Sequence, residues 1–231
     1  MDIKGLQKLT LLDFPGHVAC TVFTAGCNFR CPFCQNSDLV ISPRLNPSIP
    51  NEDVFSFIAK RRGMLEGICI SGGEPLLQED LIPFIKRCRE LGLLVKLDTN
   101  GFLTDKLRSV TEEGILDYIA MDIKAAPENY AKLVGLRRFD VVPVLKSVDL
   151  IRSSGIEHEF RTTVVGDLHT EKDIIGIGEW LRGEKHFFLQ KFVDSGALIE
   201  DGHSPASHEK MKEYLKIIQK YIPEAQLRGV D

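Results

Sequence analysis

The residues with the clearest chemistry are three cysteines in one short run, Cys27-Asn-Phe-Arg-Cys31-Pro-Phe-Cys34. The spacing C-x3-C-x2-C lets three thiolates converge on one inorganic centre. A structural zinc site takes four ligands, and a four-iron cluster ordinarily takes four cysteines. Three ligands leave one metal position open, and an open position is where a substrate can coordinate. Gly26 and Pro32 tighten and stiffen the run. On the thiols alone, zinc and a four-iron centre both stand. Cys20 lies upstream inside an apolar stretch and reads as a small core residue. Cys69 and Cys88 read the same way, and His17 is not expected to ligate a metal.

Other groups capable of chemistry punctuate the ends of apolar runs. In Ser71-Gly72-Gly73-Glu74-Pro75 the glycines permit close backbone approach to a ligand, and the carboxylate can accept hydrogen bonds from an ammonium. A tight strand-to-helix turn would look the same. Asp98-Thr99-Asn100-Gly101 and Met121-Asp122-Ile123-Lys124 follow two further runs, and each is also explicable as turn chemistry. The guanidinium of Arg161 suits a carboxylate, whether that belongs to a ligand or to a structural ion pair. Gln190 and Phe192 stand near the end of the last run.

These residues need a scaffold. Short apolar, β-branched runs at 17–24, 67–71, 93–98, 116–122, 159–165 and 186–192 read as buried strands. Between them fall helical periodicities, such as Leu81, Phe84, Ile85 and Cys88, or Met211, Tyr214, Leu215 and Ile218. Asn51 is placed to cap a helix, and Trp180 to pack a helix end. Residues 35–50 read as a surface loop, and 208–220 as a solvated amphipathic helix. Repeated strand–helix alternation implies parallel βαβ units and an α/β fold. Either a doubly wound sheet or part of a (β/α) barrel would satisfy it, and both gather the site at the carboxyl ends of the strands.

Bulk properties narrow the partners. The chain has 231 residues, enough for one well-buried domain. With 29 basic and 33 acidic residues, the net charge of −4 gives no case for nucleic acid or an anionic membrane. No apolar run approaches the roughly 18 residues that cross a bilayer. The opening residues lack the apolar core and cleavage site of a signal peptide. The expected location is the cytoplasm, where a disulfide framework is disfavoured.

With Phe33 just before the last cysteine, the run resembles the signature of the radical SAM enzymes. The resemblance implies a partial (β/α)6 TIM-type barrel, with 17–231 as the radical SAM core domain and 1–16 as an N-terminal cover segment. It implies one [4Fe–4S] cluster on Cys27, Cys31 and Cys34, with the fourth iron open to S-adenosylmethionine (SAM). An electron from the cluster would split SAM to methionine and a 5′-deoxyadenosyl radical. Gly72, Gly73 and Glu74 would hold the SAM amino group, and Lys124 and Arg161 its carboxylate. Asp98 and Asp122 would hold the ribose side or a bound cation. Phe33, Gln35, Asn100 and Ile123 would complete the pocket. Some relatives carry a histidine near the sixth strand's end that this chain lacks.

The segments Asp13-Phe14-Pro15-Gly16, Asp98–Gly101 and Asp122–Lys124 resemble those of glycyl-radical-enzyme activases. The similarity runs to the anaerobic ribonucleoside-triphosphate reductase activating proteins and to the pyruvate formate-lyase activases, over about residues 5 to 228. It implies hydrogen abstraction from a backbone glycine of a glycyl radical enzyme, with flavodoxin or ferredoxin as electron donor. It also implies that Asp13–Gly16 covers the barrel edge near the cysteines. No cysteine follows Cys88, so a second cluster is not expected. A radical SAM enzyme acting on a small molecule, as in deazapurine formation, and a non-catalytic zinc-binding module are the competing readings.

Overall fold

The computed structural model describes residues 1–194 and 196–230. Its strands are β1 (Ile3–Thr10), β2 (Ala19–Thr24), β3 (Gly67–Gly72), β4 (Leu94–Thr99), β5 (Tyr118–Asp122), β6 (Glu157–Val164), β7 (Phe187–Lys191) and β8 (Gln226–Arg228). They form one eight-stranded sheet in the order β1 to β8. A doubly wound sheet reverses its strand order partway; this one never does. Strictly sequential order is the winding of a (β/α) barrel, so of the two architectures left open by the sequence the partial barrel is the one adopted. β2 pairs parallel with β3, β3 with β4, β6 with β7 and β7 with β8. β1 pairs antiparallel with β2.

The helices are α1 (Ser37–Ile41), α2 (Asn51–Lys60), α3 (Leu81–Glu90), α4 (Thr104–Glu112), α5 (Tyr130–Leu133), α6 (Val142–Ser153), α7 (Glu171–Trp180) and α8 (His208–Ile218). The stretch read as a loop at 35–50 therefore carries α1 and a short 3-10 turn at Pro43–Leu45. Asn51 is the first residue of α2 rather than its cap. Pro50 holds the cap position in extended geometry, with no side-chain cap bond.

The chain divides into two compact units. The first comprises Met1–Asn28, Asp38–Ala120 and Pro143–Glu157; the second comprises Phe29–Ser37, Met121–Val142 and His158 onward. In the first, Val22, Ile68, Ile70, Val95 and Leu97 pack against Ile58, Ile85 and Leu107 with at most 1% exposure. Cys20, Cys69 and Cys88 are buried and form no disulfide. Burial pushes the Cys20 thiol up to about 12, so it stays protonated and inert. In the second, Phe160, Phe187, Leu189, Ile174, Ile177 and Met211 are fully buried. Trp180 packs edge-on against Tyr130 at the end of α7.

The N-terminal segment differs from expectation. Residues 3–10 are the strand β1, and pairing of Thr10 with Ala19 carries Asp13–Gly16 to the amino end of β2. That is the end opposite the cysteines, because β1 runs antiparallel. There Phe14 is 2% exposed. It lies 6.0 Å from Tyr118 at the start of β5 and over Gly67 at the start of β3, where any Cβ would come within 2.7 Å of its ring. Asp13 accepts the Thr21 hydroxyl at 2.6 Å. The segment covers the amino ends of β2, β3 and β5, not the carboxyl end of β2 that leads into the cysteine run.

Candidate active site

In the first unit, the carboxyl ends of β2, β3 and β4 converge around Cys27. Gly73 N–H donates to the Thr24 carbonyl at 2.9 Å, and Glu74 N–H to that of Gly26 at 2.8 Å. The approach is so close that a Cβ on Gly73 would sit 1.8 Å from the Gly26 oxygen. Gly72 has φ +119°, and a Cβ there would meet Thr24 N at 2.2 Å. The glycine pair thus admits the chain's own backbone. Glu74 is fully buried. Its Oε1 accepts from Leu76 N–H at 3.1 Å and the Thr99 hydroxyl at 2.9 Å, and its Oε2 from Asn100 N–H at 2.7 Å. Asn100 in turn reaches Cys27 Sγ at 3.7 Å and Asn28 Oδ1 at 2.8 Å through Nδ2. Deeper in the unit, the buried Lys96 ammonium lies 2.5 Å from Asp98 Oδ1, and the Ser71 hydroxyl donates to Asp98 Oδ2 at 3.0 Å.

In the second unit, β5 and β6 build an ionic cluster. Asp122 Oδ1 accepts from Arg161 Nε at 2.6 Å and Oδ2 from Lys124 Nζ at 2.9 Å. Burial by itself would raise the Asp122 carboxyl, but the two cations outweigh it and hold it far below the ordinary carboxylate range. Burial would likewise lower Lys124; Asp122 and Cys31 reverse this and raise it, so the ammonium stays charged. Ile123 is buried and donates its N–H to the Arg161 carbonyl at 2.8 Å. Arg161 also lies 3.8 Å from Glu159, which Arg228 grips in a fork with two contacts of 2.8 Å.

Two residues not singled out in the sequence hold this cluster's backbone. Lys124 N–H donates to the Tyr130 hydroxyl at 3.2 Å, and that hydroxyl donates to the Asp122 carbonyl at 3.3 Å. His169 Nε2 pairs with the Lys124 carbonyl at 2.9 Å. No local pattern marks either residue, since each acts on a distant strand. Lys96 was legible: a charge within an apolar strand, two residues before Asp98 and so on the same face.

The rest of the cysteine run is tied down in the same unit. Arg30 N–H donates to the Val134 carbonyl at 2.9 Å, and Glu200 N–H to that of Pro32 at 2.9 Å. The Gln35 amide donates to the Val193 carbonyl at 2.6 Å. Phe33 is 4% exposed. Burial raises the Cys34 thiol, with Lys124 among the opposing influences. Phe192 is fully buried.

Residues 21–181 match the Radical SAM superfamily, so the chain belongs to that superfamily and is an enzyme of that class. It is 29% identical over 236 residues to a Methanocaldococcus jannaschii protein named provisionally as a glycyl-radical enzyme activating enzyme, covering 99% of this chain and 96% of that one. It is also 29% identical over 181 residues to the pyruvate formate-lyase-activating enzyme of Clostridium pasteurianum, covering 75% and 72%. Among solved structures, Streptococcus suis SuiB bound to precursor peptide SuiA superposes with TM-score 0.71 at 14% identity, over 90% of this chain and 48% of that one. The chain thus spans about half of SuiB, and the likeness is one of fold.

Membership brings a [4Fe–4S] cluster and SAM as cofactors. The residues present fit such a group. Cys27, Cys31 and Cys34 form no disulfide and lie on one loop fastened along its length. Beside Cys27, the buried Asn28 Nδ2 has no hydrogen-bond partner among the described residues, and a buried donor without an acceptor is costly. A sulfur-rich anionic centre bound beside it would supply an acceptor. Among the described residues, no three His, Cys, Asp or Glu side chains gather as the ligands of one ion would; the three thiolates would instead be the ligands of a multi-iron cluster. No helix among the described residues is long and apolar enough to cross a membrane.

Proposed function

We propose that this chain is a glycyl-radical-enzyme activase and that its partner is an anaerobic ribonucleoside-triphosphate reductase. The observation that carries the reading is similarity along 99% of the chain to a protein named as an activating enzyme of that kind. The activase reading, over a radical SAM enzyme acting on a small molecule, is also supported by the Asp13–Gly16 and Asp122–Lys124 segments. In this reading Cys27, Cys31 and Cys34 hold the cluster and leave one iron for SAM. When bound, the cluster supplies the electron that divides SAM into methionine and a 5′-deoxyadenosyl radical. That radical takes a hydrogen atom from a glycine Cα of the partner, giving 5′-deoxyadenosine and a stored glycyl radical.

The chain's own groups bind and orient. Lys124 and Arg161 offer their remaining N–H groups to the SAM carboxylate, with Asp122 fixing both. Fork geometry suits Arg161 to that task. Glu74 and Asn100 hold the loop that carries Cys27, and the Gly72–Glu74 backbone faces the SAM amino group. Asp98, paired with the Lys96 ammonium at 2.5 Å, serves the ribose side. Flavodoxin or ferredoxin is the electron donor in this reading.

The test is anaerobic. The reduced protein is mixed with SAM and the reductase, and the glycyl doublet is sought by electron paramagnetic resonance. A doublet on the reductase is expected. SAM cleavage without a doublet on any glycyl radical enzyme would move the substrate to a small molecule and overturn the activase reading.

A further inference from the structure

We propose that His169 is a positioning residue that sets the reach of the Lys124 ammonium toward the SAM carboxylate, an inference that rests on the reading of Lys124 above. His169 is 2% exposed and lies in the loop after β6. Val165 N–H points at Nδ1 from 3.0 Å. A backbone N–H only donates, so Nδ1 accepts and the ring proton lies on Nε2. Nε2 therefore donates to the Lys124 carbonyl at 2.9 Å. Burial lowers the pKa of the ring, which agrees with a neutral imidazole.

The same ring meets Phe33 of the cysteine run edge-on, with centroids 6.2 Å apart. Its own carbonyl accepts the Tyr214 hydroxyl at 2.9 Å, which anchors it to α8. One neutral side chain thus ties the backbone of Lys124 to the loop after β6 and to the cysteine run. Among the described residues the Lys124 ammonium bonds to Asp122, and its backbone is held by this clamp, completed by Tyr130. Releasing the carbonyl lets the strand end move, and with it the ammonium.

The two arms of the ring can be separated. H169Q places an N–H donor where Nε2 stood and keeps the bond to Lys124. H169N places an oxygen where Nδ1 stood and keeps the bond to Val165 alone. SAM affinity is read by equilibrium binding to the cluster-loaded protein, with melting temperature measured on the same preparations. H169N is expected to bind SAM about tenfold more weakly, and H169Q to stay within about threefold of the parent. The electron paramagnetic resonance change on SAM binding should survive in H169Q. K124M is the benchmark and should lose at least as much affinity as H169N.

Unchanged SAM binding by H169N, or equal losses in both histidine variants that follow their melting temperatures, would overturn the proposal while leaving Lys124 in place. Unchanged binding by K124M would overturn the Lys124 reading and the proposal together. Should H169N not fold, Y130F removes the clamp's other half. It should weaken SAM several-fold, and no change would count against the clamp.

Discussion

Glu74 in the first unit and Asp122 in the second are both carboxylates at strand ends, and the chain treats them oppositely. Glu74 is fully buried and accepts from two backbone N–H groups and a hydroxyl. Asp122 retains 29% side-chain exposure and accepts from a guanidinium and an ammonium. Neutral donors drawn from three points of the chain make Glu74 a fastener that locks the glycine pair to the Asn100 turn. Cationic donors make Asp122 a bracket that fixes the Arg161 guanidinium and the Lys124 ammonium in place. A carboxylate at a strand end thus locks backbone in one unit and, in the proposed reading, orients two cations for SAM in the other.

The comparison breaks first at Glu74. E74A strands the Leu76 and Asn100 N–H groups and the Thr99 hydroxyl in a buried site, and should cost about 3 kcal/mol in urea unfolding. A loss below about 1 kcal/mol with SAM affinity alone falling would return Glu74 to direct ligand contact. Next comes G73A, which drives a Cβ against the Gly26 carbonyl. It should cost about 2 kcal/mol, and a stability equal to that of the parent would deny the interlock.

On the Asp122 side the effect should fall on binding more than on folding. R161M should weaken SAM about tenfold, measured by equilibrium binding. It should also change the response to acid. Because the folded Asp122 carboxyl is depressed, the stability it contributes is fully present above the unfolded carboxylate value near 3.9. That contribution is lost as pH falls toward the much lower folded value. The gap in stability between parent and R161M should therefore be complete above about pH 4 and shrink below it; a gap independent of pH would contradict the ion pairing. The smallest effect belongs to Asp167. Burial slightly opposes its ionisation, but hydrogen bonds from Ser204 and His203 bring it to about 2. It is exposed, so D167N should change stability by no more than about 0.5 kcal/mol. Any difference should be present above about pH 3.8 and vanish as pH falls through about 2.

Much of this was legible in the sequence. Six apolar runs became β2 through β7 with ends shifted by a residue or two, because strands buried on both faces declare themselves. β1 was not read as a strand: Lys4, Gln7 and Lys8 interrupt its apolar pattern, as suits an edge strand. β8 has three residues and carries no pattern of its own. The cysteine run and the Gly-Gly-Glu, Asp-Thr-Asn-Gly and Asp-Ile-Lys segments were legible because each is local. What they do to one another was not. The grip of Glu74 on Asn100 and of His169 on Lys124 joins residues 26 and 45 positions apart, and only folding makes such pairs.

The most direct test of the account is metal and product analysis after anaerobic reconstitution. The protein should be brown, with about four irons per chain, and should release methionine and 5′-deoxyadenosine from SAM when reduced. Cys31→Ala should abolish both. A colourless protein that holds about one zinc and leaves SAM intact would contradict it.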